Sequence, residues 1–194
     1  MQHKFQTRSI IKFFFQLVQT QFKTKIKCFR SGNGADFHMK DYFFDRGIIH
    51  QLSCVEIPQQ SAIVERKHQH LLNVTRALWF QLHLPLSFWG DCILIATHII
   101  NKIPTPLFSN KLSYELLYST KPSYSYLKVF GWLAYVSTLF KNRTKFDTRD
   151  ILCIFIGYPY VMKGYKFFSL HTHSVIISRH AIFHETISFH MLLI

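Results

Sequence analysis

Arg30-Ser31-Gly32-Asn33-Gly34-Ala35-Asp36-Phe37 is the stretch on which the reading of the fold turns. Before it, residues 23–30 alternate polar and apolar side chains through Ile26 and Cys28, the pattern of a half-buried strand. Gly32, Asn33 and Gly34 end that strand in a turn. Residues 36–46 read as helix, with Asp36 as its expected N-cap and Gly47 as its C-cap; residues 48–54 read as a second short strand. The next informative stretch is Pro58-Gln59-Gln60-Ser61-Ala62-Ile63-Val64-Glu65-Arg66-Lys67-His68. Proline breaks the chain there, and Gln60 or Ser61 opens a long helix through Leu82. Its apolar side is expected at Val64, Leu71, Leu72, Val74, Leu78 and Trp79.

Further out, Ser9 begins a helix whose apolar positions are Ile10, Phe14, Leu17, Val18 and Phe22. Ser87 is placed to cap another helix, with Phe88, Cys92, Ile95, Ala96 and Ile99 on its buried face. Strand–helix–strand–helix–helix is the grammar of an α/β domain. The composition changes at Lys102: Pro104, Pro106, Ser109 and Asn110 mark a linker, and Ser113 is expected to cap a short helix. Then come short strands at 129–137, 152–158, 164–170, 175–178 and 181–184, separated by turns, which predicts a small β-barrel.

The 194 residues are 48% hydrophobic and 17% charged, which excludes a disordered chain, and the formal net charge is +13. The positive excess falls before and after the central apolar block. A basic surface attracts phosphate and releases counterions, so nucleic acid is the leading class of partner, against a merely solvated basic face. Four scattered cysteines (Cys28, Cys54, Cys92 and Cys153) indicate neither a zinc site nor a disulfide framework. Residues 92–100 are too short an apolar run to span a bilayer. Lys12 interrupts the apolar run near the N-terminus, so an amphipathic helix is a better reading than a targeting peptide. Glu65-x-x-His68 and the histidines from His171 onward are read as solvated side chains rather than metal ligands.

These motifs, in this order, resemble the integrase region of copia-type retrotransposon Pol polyproteins. FRSGNGADF is similar to the strand-end motif of the catalytic core, and the segment from Ile48 to Trp79 is similar to the one that carries the catalytic glutamate, here Glu65. LPLSFWGDCILIATHIINKIPT resembles the following helix. SYELLYSTKPSYSYLKVFGWLAYVS and RTKFDTRDILCIFIGYPYVMKGYKFF resemble the SH3-like module after the core. The resemblance implies a fold class of α/β: an N-truncated RNase H-like remnant at 8–103, a linker with short helices at 104–127, and a small SH3-like β-barrel at 128–188.

Its implied chemistry is DNA integration by strand transfer, with Mg as cofactor held by three carboxylates. Here the second carboxylate position is Gly32, the strand bearing the first is expected before Ser9, and Glu65 alone is kept. A glycine offers no oxygen to a hard cation, so the chain is expected to be catalytically inactive and not to bind the Mg of the family. Sequence-tolerant DNA contact is expected at Gln59, Gln60, Arg66, Lys67 and Gln69, and on a second basic cluster at Lys141, Arg143 and Lys145. Tyr158, Tyr160 and Tyr165 are stacking candidates, with core packing as the alternative. Exposed phenylalanines among Phe13 to Phe15 and Phe43 to Phe44 would support self-association. No membrane or small-molecule partner is expected, and the resemblance implies a nuclear or cytoplasmic location, not a secreted one. The alternatives are a translated remnant without function, or a protein-interaction module without nucleic-acid activity.

Overall fold

The computed structural model describes residues 6–54, 62–137, 144–146 and 148–188. The chain divides into two compact units, Met1–His68 and Gln69–Ile194, each with its own hydrophobic core.

The first unit runs α1 (Thr7–Phe22), β1 (Cys28–Ser31), α2 (Lys40–Asp45) and β2 (Ile49–Leu52). β1 and β2 pair in parallel, Cys28 opposite Ile49 and Ser31 opposite Leu52. Parallel neighbours need a crossover, which a 3-10 turn (Ala35–Phe37) and α2 supply. Gly47, at φ 63°, ends α2 as expected. Its N–H donates to the Phe44 carbonyl at 3.0 Å, and Ile48 N–H reaches back to Phe43 at 2.9 Å. Those two bonds form a Schellman motif, and the side chains of Ile48 and Phe43 share the core below it.

That core gathers Ile11, Phe15, Met39, Phe43 and Ile48. Phe29 of β1 stacks on Phe43 with ring centroids 5.4 Å apart, and Phe15 meets Phe29 edge-on at 5.8 Å. The buried stripe of α1 is therefore Ile11 and Phe15, not the expected Ile10 and Phe14, which are 47% and 51% exposed. The two stripes lie one residue apart, and a helix so rich in phenylalanine offers both to a core. Asp36 also departs from expectation: the turn containing it has Gly34 as N-cap, and no side chain caps it or α2.

α3 (Ala62–Gln81) leads into the second unit. There Leu78 and Trp79 pack against the core, and Thr75 is fully buried with its hydroxyl donating to the Leu71 carbonyl at 2.7 Å. Val64, expected on the apolar side, is exposed. A 3-10 turn (Leu86–Phe88) precedes α4 (Trp89–Ile100), and α5 (Ser113–Tyr118) follows a looped segment. Neither Ser87 nor Ser113 is a cap; the N-cap positions belong to Phe88 and Leu112, without side-chain bonds.

Five strands complete the unit: β3 (Trp132–Ser137), β4 (Asp150–Gly157), β5 (Tyr165–Ser169), β6 (Val175–Ser178) and β7 (Ala181–Ser188). They form one antiparallel sheet in the order β6-β5-β4-β3-β7. In a flat sheet β5 and β7 would stand three spacings, roughly 14 Å, apart. Yet the Phe183 ring of β7 lies 5.0 Å from Tyr165 and 5.7 Å from Phe167, both of β5. The sheet is strongly curled, helped by register shifts at Trp132/Leu133 and Phe155/Gly157.

α4 closes this core. Phe88, Cys92 and Ile95 are buried with Ala134, Cys153, Phe155 and Phe167. Asp91 of α4 and Lys166 of β5 form an ion pair of 2.6 Å. Packing thus joins a helix of the expected core segment to the expected barrel. No helix among the described residues is long and apolar enough to cross a membrane.

Candidate nucleic-acid interface

Gly32 directly follows β1. A Cβ added there would meet only Ser53 Oγ, 4.0 Å away, so a side chain can leave the backbone there without collision. The turn is held to the end of β2: Asn33 Nδ2 donates to the Ser53 carbonyl at 2.8 Å, and Ser53 N–H donates to Ser31 at 3.1 Å. Ser31 Oγ lies 2.8 Å from His50 Nε2, whose pKa is lowered by burial and then by His38. Position 32 thus lies at a strand end tied to β2 and carries no side chain.

Glu65, Arg66, Lys67 and Gln69 all stand exposed on the first half of α3. Gln59, Gln60, Lys141 and Arg143 lie outside the described residues. Lys145 is exposed, next to Phe146 at 99% exposure. Of the three tyrosines, only Tyr160 is open to solvent, at 87%. Tyr158 accepts the Lys128 N–H at 3.0 Å and donates to the Tyr126 carbonyl at 3.3 Å, while Tyr165 packs in the core.

The sequence did not single out Lys102 as a functional residue. It is 7% exposed, and its Nζ is 2.8 Å from His98 Nε2. That Nζ also lies over the Tyr114 and Tyr126 rings, at 5.5 and 5.7 Å. The His98 ring stacks on Tyr158 at 4.6 Å. Burial, then the charge of Lys102, pulls His98 down to about 4, and burial lowers Lys102 as well. The available signal was His98 four residues before Lys102 on an apolar helix, followed by tyrosines at 114 and 126.

Residues 132–192 match the family model described as the retroviral polymerase SH3-like domain. The retrovirus-related Pol polyprotein from transposon RE1 of Arabidopsis thaliana is 32% identical over 186 residues, covering 95% of this chain and 13% of that protein. The corresponding polyprotein from transposon TNT 1-94 of Nicotiana tabacum is 31% identical over 186 residues, 94% of this chain and 14% of its own length. Over nearly its whole length the chain is similar to one segment of copia-type Pol polyproteins. The chain spans about an eighth of the length of the curated relatives it matches. A chain in the cryo-EM structure of the simian T-cell lymphotropic virus intasome with PP2A regulatory subunit B56 gamma aligns at 12% identity and a TM-score of 0.46, over 83% of this chain and 61% of that one. At that level it is no basis for assigning a fold.

A magnesium site of the integrase kind does not fit the described residues. Gly32 contributes no side-chain oxygen, and Glu65 is exposed on α3. Among the described residues, no three of His, Cys, Asp and Glu are grouped to hold a metal ion. Two hard cations at a scissile phosphate need several anionic oxygens at a set separation, which this donor set does not supply.

Proposed function

We propose that the chain is a DNA-binding fragment of integrase origin that does not catalyse strand transfer. In this reading the first part derives from an RNase H-like core and the last from an SH3-like β-barrel. The observation that carries it is Gly32: a residue without a side-chain oxygen stands at the strand end where, on this reading, the family has a carboxylate. What supports DNA contact is the exposed group Arg66, Lys67 and Gln69, together with the net charge of +13. Lys and Arg bind phosphate without reading bases, so the binding is sequence-tolerant.

Fluorescence anisotropy with unrelated duplexes tests this. The affinity should fall steeply with salt, and Arg66→Ala with Lys67→Ala should reduce the log–log slope by about two. Salt-insensitive binding, or none, defeats the DNA reading. Strand transfer by the purified chain with magnesium or manganese defeats the silent one. Gly32→Asp alone should leave transfer absent, because it restores one carboxylate beside Glu65 and not a third.

A second reading, self-association, is favoured by Phe13, Phe14 and Phe44, which are 65%, 51% and 87% exposed. Large apolar side chains left in water favour association.

A further inference from the structure

A cavity of about 360 Å³ is lined by the end of α4, by α5 and by Tyr126. Its volume is in the range of small-ligand sites. Tyr114 and Tyr118, one turn apart on α5, line it with rings 4.6 Å from each other. Lys102 also lines it, more than nine-tenths buried, and among the described residues no carboxylate pairs with its ammonium group.

The Lys102 Nζ has a partial set of partners. His98 is neutral near pH 7 and offers one ring nitrogen; Tyr114 and Tyr126 offer ring faces. A buried ammonium with such partners is tolerated, yet it lacks the counter-charge that would offset its desolvation. An anion entering the cavity supplies that charge. The tyrosine rings beside it present flat apolar surfaces, on which a planar base stacks at any sequence. Ser113 adds a polar group to the same lining.

We propose that this cavity binds a nucleoside monophosphate, with its phosphate at Lys102 and its base against Tyr118 and Tyr114. The site lies wholly within the second unit and does not depend on duplex binding by Arg66 and Lys67. The phosphate can belong to a free nucleotide or to the end of a strand.

Titration calorimetry on the full chain with dAMP, inorganic phosphate and deoxyadenosine tests the proposal. dAMP should bind at one site, about tenfold or more tighter than either component alone. Lys102→Met should weaken dAMP by about tenfold, and Lys102→Arg should keep most of the affinity. Should Lys102→Met fail to fold, Tyr118→Ala decides, since Tyr118 is 48% exposed. It should weaken dAMP by about threefold or more while leaving inorganic phosphate unchanged. No saturable dAMP binding up to roughly 10 mM overturns the proposal, as does dAMP affinity indifferent to both substitutions. Competition by a 5′-phosphorylated oligonucleotide, but not by its unphosphorylated form, supports a strand end as the source. Equal, ineffective competition by both supports the free nucleotide.

Discussion

Gly131 sits at φ +80°, and a Cβ there would fall 2.2 Å from Leu82 Cδ1. Two penalties coincide: a left-handed backbone that L side chains rarely adopt, and a collision with a side chain that is 4% exposed. Gly131→Ala should cost on the order of 2 to 4 kcal/mol, read as a lower urea midpoint. Gly32→Asp should behave oppositely, changing stability by no more than about 0.5 kcal/mol, because its neighbourhood is open. Gly47 was legible in the sequence because its cap is local. Gly131 was not, because Leu82 reaches it from 49 positions away in the chain.

α4 carries the most telling electrostatics. His98 is drawn down to about 4 from 6.5, so between those values the unfolded chain binds a proton that the folded one refuses. Stability therefore rises with pH across that window and falls as pH drops from about 6.5 toward 4, by on the order of 2 to 3 kcal/mol. Thermal melts at pH 4.5 and 7 should show the loss, and His98→Gln should flatten it. A pH profile unchanged by that substitution would sink the assignment. The spacing of Cys92, Ile95 and Ile99 announced a buried face for this helix. It did not announce that the same helix also carries Lys102's partner, because a histidine on an apolar helix gives no sign of its neighbours.

Over the whole molecule, each unit leaves apolar surface in water. In the first, α1 and α2 bury Phe15 and Phe43 while Phe13, Phe14 and Phe44 stay exposed. Sedimentation velocity should show concentration-dependent association, and Phe13→Ser, Phe14→Ser and Phe44→Ser together should abolish it without loss of helicity. A chain that stays monomeric at all concentrations would remove that reading. In the second unit, curling brings Phe155, Tyr165, Phe167 and Phe183 into one aromatic core.

Alternation, turn residues and helical spacing determined by themselves that strands flank Gly32, that a long helix carries Glu65, and that short strands follow Lys128. Those signals act over a few residues, so the chain states them locally. Which phenylalanine of α1 turns inward, which serines fail to cap, and how α4 seals the curled sheet were decided only by tertiary structure. So was the aromatic setting of Lys102. Burial is settled by what lies across the core, and spacing along the chain does not encode that.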